Sequence, residues 1–285
     1  MKQIDICHFS GTGNTLRILM VLVRAFEDRG INVRLHPMEH TDPKTLDVPD
    51  TLGLFFPVAF QSTYPFVWKF IRSLPKNPGK DGFMVDTLAG YSGGIVGVLR
   101  DTMRRKGYRT VGAVEIIMPD NLFQRKDHPQ ENRACIESGE QKARAFASAL
   151  IQKEARWEKK GMWSYGMFTL YLMVIFFLLP PWQWLLRPLF LHVRNDRCIR
   201  CGLCVQLCPI QNILPSGHVK LPQFRYHCQG CMRCIAYCPK NAIYAGLRRK
   251  AAWHYRGLEA KEMIESYNRG KSSQTHGITP RDPST

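Results

Sequence analysis

The chain has 285 residues, enough for about two domains with cores of their own. With 45% hydrophobic and 22% charged residues its composition is globular, which excludes a collagen-like or low-complexity chain. The net charge of +17 calls for an anionic partner: a membrane surface, an acidic protein or nucleic acid.

The opening stretch, MKQIDICHF, lacks the apolar core and cleavage site of a secretory signal and reads as the first strand of a cytosolic protein. Cys7 on that strand is expected to be a small buried hydrophobe. IDICHFSGTGNTLRILMVLVRAFEDRG continues as a strand, a Ser/Thr/Gly loop and an amphipathic helix ending at Gly30. In the loop, Ser10, Thr12 and Thr15 offer hydroxyls, Gly11 and Gly13 allow a tight turn, and the helix start at Asn14 presents N–H groups. That combination is a phosphate cradle without a lysine. It matches neither the GK[ST] pattern nor the dinucleotide G-x-G-x-x-G, whose third glycine position is Leu16; a plain Ser/Gly turn is the competing reading.

INVRLHPM reads as a strand, TLGLFFPVAF as a buried strand with a loop, and PFVWKFIRSL as a helix. GFMVDTLAGYSGG is strand then loop, IVGVLRDTMRRKGY a helix, TVGAVEIIMPDN a strand, and a long helix is expected over about 131–160. Five strands alternating with helices predict a doubly wound parallel sheet covered on both faces. Its ligand loops lie beyond the strand carboxyl ends: 10–15, 57–64 and 87–94, the last holding Thr87, Leu88, Ala89, Gly90 and Tyr91. The basic string at 100–109 reads as a solvated helix face, and neither interleaved aromatics nor a recognised module supports nucleic-acid binding. Cys135 reads as an ordinary helix residue.

The run GMWSYGMFTLYLMVIFFLLPPWQWLL, residues 161–186, carries no charge. Its densest part, 167–179, is apolar on every helical face, and thirteen residues make about 20 Å of helix, short of a roughly 30 Å hydrocarbon core. Basic residues flank both ends (Lys153, Arg156, Lys159, Lys160; Arg187, Arg194, Arg197, Arg200), so both flanks favour the cytoplasmic side. Trp157, Trp163, Trp182 and Trp184 suit an interfacial level, and Pro180-Pro181 breaks the helix. The favoured reading is a re-entrant or monotopic contact with the inner face of the cell membrane. A linker packed against protein and a single span are the alternatives.

Eight of the ten cysteines fall between Cys198 and Cys238, in the runs CIRCGLCVQLCP and CQGCMRCIAYCP. Both follow C-x2-C-x2-C-x3-C-P, at spacings that suit neither disulfides nor zinc ribbons. In this pattern three cysteines wrap one cubane while the fourth serves the other. Cys198, Cys201, Cys204 and Cys238 are thus expected on one [4Fe-4S] cluster, and Cys208, Cys228, Cys231 and Cys234 on the second. CPIQNIL is answered by CPKNAIY at a period of 30, so each half supplies one triplet and a short helix. From His192 to Lys250 there are ten Lys or Arg and one acid, Asp196; Arg200 and Arg233 lie within the cluster loops, where positive charge is expected to raise the potential.

FSGTGNT resembles the flavodoxin phosphate loop, and the order of parts resembles the bacterial and archaeal flavodoxin–ferredoxin fusion proteins, whose features TLAGYSGG, MPDN and CGLCVQLCPIQNI also resemble. The resemblance covers about residues 1–150 and 192–250. It implies an α/β flavodoxin-like doubly wound domain (1–160), an apolar helical linker (161–191), a small α+β two-cluster ferredoxin domain (192–250) and a basic, polar tail (251–285). It also implies FMN, with its phosphate on Ser10 to Thr15 and its ring between the second and third loops, where Phe60 or Tyr64, and Tyr91, are the stacking candidates. The expected function is electron transfer between the clusters and FMN, with redox protein donors and acceptors of acidic surface. An FMN-dependent reductase of a small substrate such as a quinone is the alternative, and a scaffold with degenerate sites the third reading.

Overall fold

The computed structural model describes residues 1–121, 128–158, 161–178, 191–214, 221–246 and 255–266. Its centre is a five-stranded parallel sheet of β1 (Gln3–His8), β2 (Asn32–Pro37), β3 (Thr51–Pro57), β4 (Asp81–Leu88) and β5 (Arg109–Ile117), in the order β2-β1-β3-β4-β5. The order reverses between β1 and β3, and there the loops after those strands open a crevice at the sheet's carboxyl edge. Helices α1 (Asn14–Glu27) and α4 (Pro129–Ile151) cover one face; α2 (Pro65–Ser73) and α3 (Val96–Arg105) cover the other. β3 is buried at nearly every residue because both faces are covered, which explains its continuous apolar run. Cys7 is fully buried among the side chains of the second face.

The helix expected to reach residue 160 ends at Ile151. Lys153 takes a left-handed backbone (φ 62°), and the chain turns back along β5, where the Ala113 amide donates to the Arg156 carbonyl (3.1 Å). Trp157 is thereby drawn into the core, its Nε1 donating to the Val96 carbonyl (3.0 Å), so it is not an interfacial side chain. Tyr64 is likewise core, edge-on to Phe9 at 5.6 Å, and is unavailable for stacking.

The apolar run forms α5 (Met162–Leu178), which packs on the flavodoxin-like sheet domain and is too short to cross a membrane; no helix among the described residues is long and apolar enough to do so. Ser164, Met167, Phe168, Tyr171, Val174 and Ile175 face protein, at the three-and-four spacing of one helical stripe. Tyr171 donates to the Thr63 carbonyl (2.6 Å), and Phe168 meets the Trp68 ring. The opposite face, with Trp163 (69% exposed), Leu170, Met173 and Phe176, is as apolar as the buried one yet lies in solvent. Residues 179–190, including Trp182, Trp184 and the expected return segment, lie outside the described residues.

The C-terminal part holds β6 (Leu191–Val193), α6 (Leu203–Gln206), β7 (Ile213–Leu214), β8 (Gln223–Phe224), α7 (Arg233–Ala236) and β9 (Ile243–Ala245). β6 pairs with β9 and β7 with β8, each antiparallel. The sequence period of 30 is repeated in the backbone, with positive φ at 200 and 230, 202 and 232, and 211 and 241.

Asp5, inside β1, is fully buried and accepts hydrogen bonds from Arg34 Nε and His36 Nε2, both at 2.7 Å from Oδ1. Burial works against its charge, but these bonds outweigh burial and hold the carboxyl below its ordinary value of 3.8. A carboxyl depressed in this way adds stability that is complete above the ordinary value and lost as pH falls through the folded one. Asp5→Asn should therefore cost about 1–3 kcal/mol in urea unfolding at pH 7, with the gap to the parent protein narrowing as the pH is lowered below 4.

Candidate functional site

The two cysteine runs fold as matching loops that lead into α6 and α7, and the thiols collect in two sets. Cys204 lies in the electrostatic field of Cys201, Cys238 and Cys198. Cys228 lies in that of Cys231 and Cys208, and Cys234 in that of Cys231, Cys228 and Cys208, with Cys204 as its weakest neighbour. The fourth cysteine of each run thus stands beside the other run's triplet. Burial pushes the Cys228 thiol up to about 12 and the Cys204 and Cys231 thiols up to about 11.

Backbone N–H groups point at the sulfurs, from Asn212 to Cys208 and from Ala242 to Cys238 at 3.2 Å each, and from Gly230 to Cys228 at 3.5 Å. Such donors stabilise thiolate charge and tune cluster potential. Among the described residues, no three or more His, Cys, Asp or Glu side chains converge as ligands of a single metal ion would. The two looser all-sulfur sets, each with N–H donors, have the chemistry of an iron–sulfur site.

The second feature is the loop between β1 and α1, where residues 10–15 are all buried. The Ser10 hydroxyl accepts from the Leu16 amide (3.3 Å), Thr12 Oγ1 accepts from Asn121 Nδ2 (2.9 Å), and Thr15 Oγ1 lies 2.7 Å from Thr87 Oγ1. Asn14 Nδ2 donates to the Pro119 carbonyl (3.0 Å). The amides of Gly11 to Thr15 donate to no group among the described residues. A buried helix start with five unspent amides, and hydroxyls on Ser10 and Thr12 still able to donate, is a donor set that fits a phosphate.

The second and third loops are tied together, Gly94 donating to the Gln61 carbonyl (2.7 Å) and Val58 to the Thr87 carbonyl (2.8 Å). Phe60 (49% exposed, φ 50°) and Tyr91 (58% exposed) present their rings to solvent on these joined loops. Leu88 is buried, whereas Ala89 and Gly90 are exposed beside Tyr91.

Residues 191–239 match the family described as the 4Fe-4S dicluster domain. The C-terminal part of this chain is a 4Fe-4S dicluster domain. The pyruvate synthase subunit PorD of Thermotoga maritima is 41% identical over 59 residues, which cover 20% of this chain and 56% of that subunit. The archaeal-type glutamate synthase [NADPH] of Dehalococcoides mccartyi is 29% identical over 90 residues, 30% of this chain and 16% of that enzyme. The chain thus spans less than two thirds of either relative. Among solved structures, oxidised flavodoxin 2 from Bacillus cereus aligns with 53% of this chain and 99% of its own, at 18% identity and a TM-score of 0.42. The two-electron reduced Megasphaera elsdenii flavodoxin aligns with 49% and 98%, at 22% identity and a TM-score of 0.37. It is the strand order 2-1-3-4-5 that makes the N-terminal fold flavodoxin-like.

The dicluster domain docks directly on the loop 10–15. A Cβ placed on Gly11 would strike the Cys231 carbonyl oxygen, and one on Gly13 would come within 2.6 Å of the Leu258 amide. Gly257 donates to the Thr12 carbonyl (2.7 Å), Arg17 Nε donates to the Gly257 carbonyl (2.9 Å), and the Tyr255 hydroxyl donates to Asn14 Oδ1 (2.7 Å). Nothing in the sequence marked residues 255–258 as a strap over this loop; a glycine within a polar tail was the one signal, and it carried no direction. Gly11→Ala should loosen the docked domain, with the cysteine loops left intact. Amide hydrogen exchange over residues 255–258 should then be faster than in the parent, with an unchanged iron content.

Proposed function

We propose that the protein is a membrane-associated electron carrier with two [4Fe-4S] clusters and one FMN. The observation that carries this reading is the crossed grouping of thiols, Cys238 beside Cys204 and Cys208 beside Cys228 and Cys234. Cys198, Cys201, Cys204 and Cys238 would hold one cluster; Cys208, Cys228, Cys231 and Cys234 would hold the other. When bound, the clusters carry one electron each, and FMN accepts two and releases them singly.

The chain's own residues hold, shield and bias these groups. Ser10, Thr12 and the amides of residues 11–15 would receive the FMN phosphate, while Phe60 and Tyr91, with Thr87, Leu88, Ala89 and Gly90, would border its ring. Phe66 lies beside Cys228, Cys231 and Cys234, and its amide donates to Gln229 Oε1 (3.0 Å), so the second cysteine set faces the α2 end of the same crevice. Placing all candidate sites on one edge keeps electron paths short. The partners would be redox proteins of acidic surface, in keeping with the excess of Lys and Arg over acids in 192–250 and the net charge of +17.

The exposed face of α5 supports membrane association. An apolar helix face backed by protein, in a cationic chain, suits insertion to the depth of the headgroups, and Trp163 and Tyr165 suit that level. On this reading the protein would work at the cytoplasmic face of the cell membrane.

Anaerobically purified protein should contain about eight irons per chain, and Cys208→Ser should remove about four while the spectrum of the Cys198 set persists. Stoichiometric zinc, or damage to the Cys198 set instead, would sink the assignment. In fractionated cells the parent protein should stay with membranes through high salt and alkaline carbonate. Replacing both Leu170 and Met173 with Glu on the exposed face should send it to the soluble fraction.

A further inference from the structure

Arg233 stands between two cysteines of the second set, yet its side chain belongs to the domain interface. Its guanidinium crosses to the flavodoxin-like domain, where Nε and Nη2 donate to the Ser10 carbonyl at 3.0 and 2.6 Å. Nη1 donates to Glu39 Oε1 at 2.8 Å and to the Leu207 carbonyl, one residue before Cys208, at 3.2 Å. The guanidinium carbon lies 4.7 Å from the centroid of the Phe9 ring. Arg233 and Glu39 are 2% and about 5% exposed, so water does little to screen either charge.

A buried cation beside a cluster would favour the added electron strongly, and among the described residues Glu39 is the one acid in hydrogen-bond contact with it. Glu39 comes from the loop after β2, so the compensating charge reaches the cluster only while the two domains are docked. We propose that Glu39 sets the potential of the cluster on Cys208, Cys228, Cys231 and Cys234, acting through Arg233, so that domain docking and this potential are one property. The proposal rests on the two-cluster reading given above. It makes Glu39 a positioning residue of the flavodoxin-like domain with an electrochemical role in the other.

The test is a redox titration followed by electron paramagnetic resonance, on the parent protein and on Glu39→Gln, Arg233→Lys and the double variant Arg233→Gln/Glu39→Gln. Signals are assigned with Cys208→Ser. Glu39→Gln should raise the potential of the second cluster, changing its reduced-to-oxidised ratio about tenfold at a fixed potential, or about 59 mV for one electron. The double variant should return it toward the parent value, Arg233→Lys should stay close to the parent, and the first cluster should not move. A parent protein without iron would refute the two-cluster reading itself. With both clusters loaded, the Glu39 proposal is overturned if neither potential moves, if both move together, or if Arg233→Lys shifts as much as Glu39→Gln. Loss of the cluster in Glu39→Gln that the double variant restores supports the same account of charge; loss that it does not restore overturns it.

Discussion

The guanidinium of Arg233 is out of water, and that constraint organises the rest of the molecule. A cation at 2% exposure is tolerated only when its donors are spent and its charge is met. Burial opposes the charge of Glu39, but the neighbouring guanidinium outweighs burial and holds its carboxyl below the ordinary carboxylate value. Two of the bonding partners, Ser10 and Glu39, lie after β1 and β2 of the sheet domain, and the third, Leu207, lies in the other half of the cysteine repeat. One side chain therefore fixes the two halves of the dicluster domain to each other and both to the sheet. His8, buried beside this pair, is pushed down to about 4 by its own burial, which leaves it neutral and keeps a second cation away from Arg233.

The same economy governs α5. A helix apolar on all sides has no stripe of its own to direct it, so its orientation is set by what it meets: Trp68, Thr63 and the glycines at 93 and 94, against which Met167 and Phe168 rest. Half of its apolar surface is satisfied there, and the remainder forms a patch of the kind that marks contact with lipid or protein. One stripe of α5 is thus committed to the sheet domain, and only the other is left to meet a partner.

The sheet, its order of elements and the two cysteine runs were legible because each is written in local signals: apolar runs bounded by Gly and Pro, and thiols at fixed intervals. The early end of α4 was not, because Glu154 to Trp157 leave the helix to meet β5 and the Val96 carbonyl, contacts made by residues some forty to sixty positions away. Tyr64 and Phe60, both aromatics of the second loop, looked equivalent in sequence. Their difference is that Phe9 and Phe66 close around Tyr64, while Phe60 sits on a left-handed backbone that turns it outward. Arg233 was legible as a charge near a cluster, but its compensation by Glu39, 194 positions earlier, was not.

The loop 10–15 shows how a short segment can serve two neighbours at once. A peptide group carries a donor and an acceptor on opposite sides, and this loop divides them. The carbonyls of Ser10 and Thr12 are spent on Arg233 and Gly257, both from the C-terminal part of the chain. The amides of residues 11–15 are spent on no described group and converge at the start of α1, where the helix dipole favours an anion. Side chains at positions 11 and 13 would occupy the ground that Cys231 and Leu258 hold, so glycine there serves the docking as much as the turn. The docked C-terminal part therefore holds this loop by its carbonyls and also lies against the Asn14 amide, where a Cβ on Gly257 would come within 2.6 Å, so docking and any anion held by these amides share one short stretch of backbone.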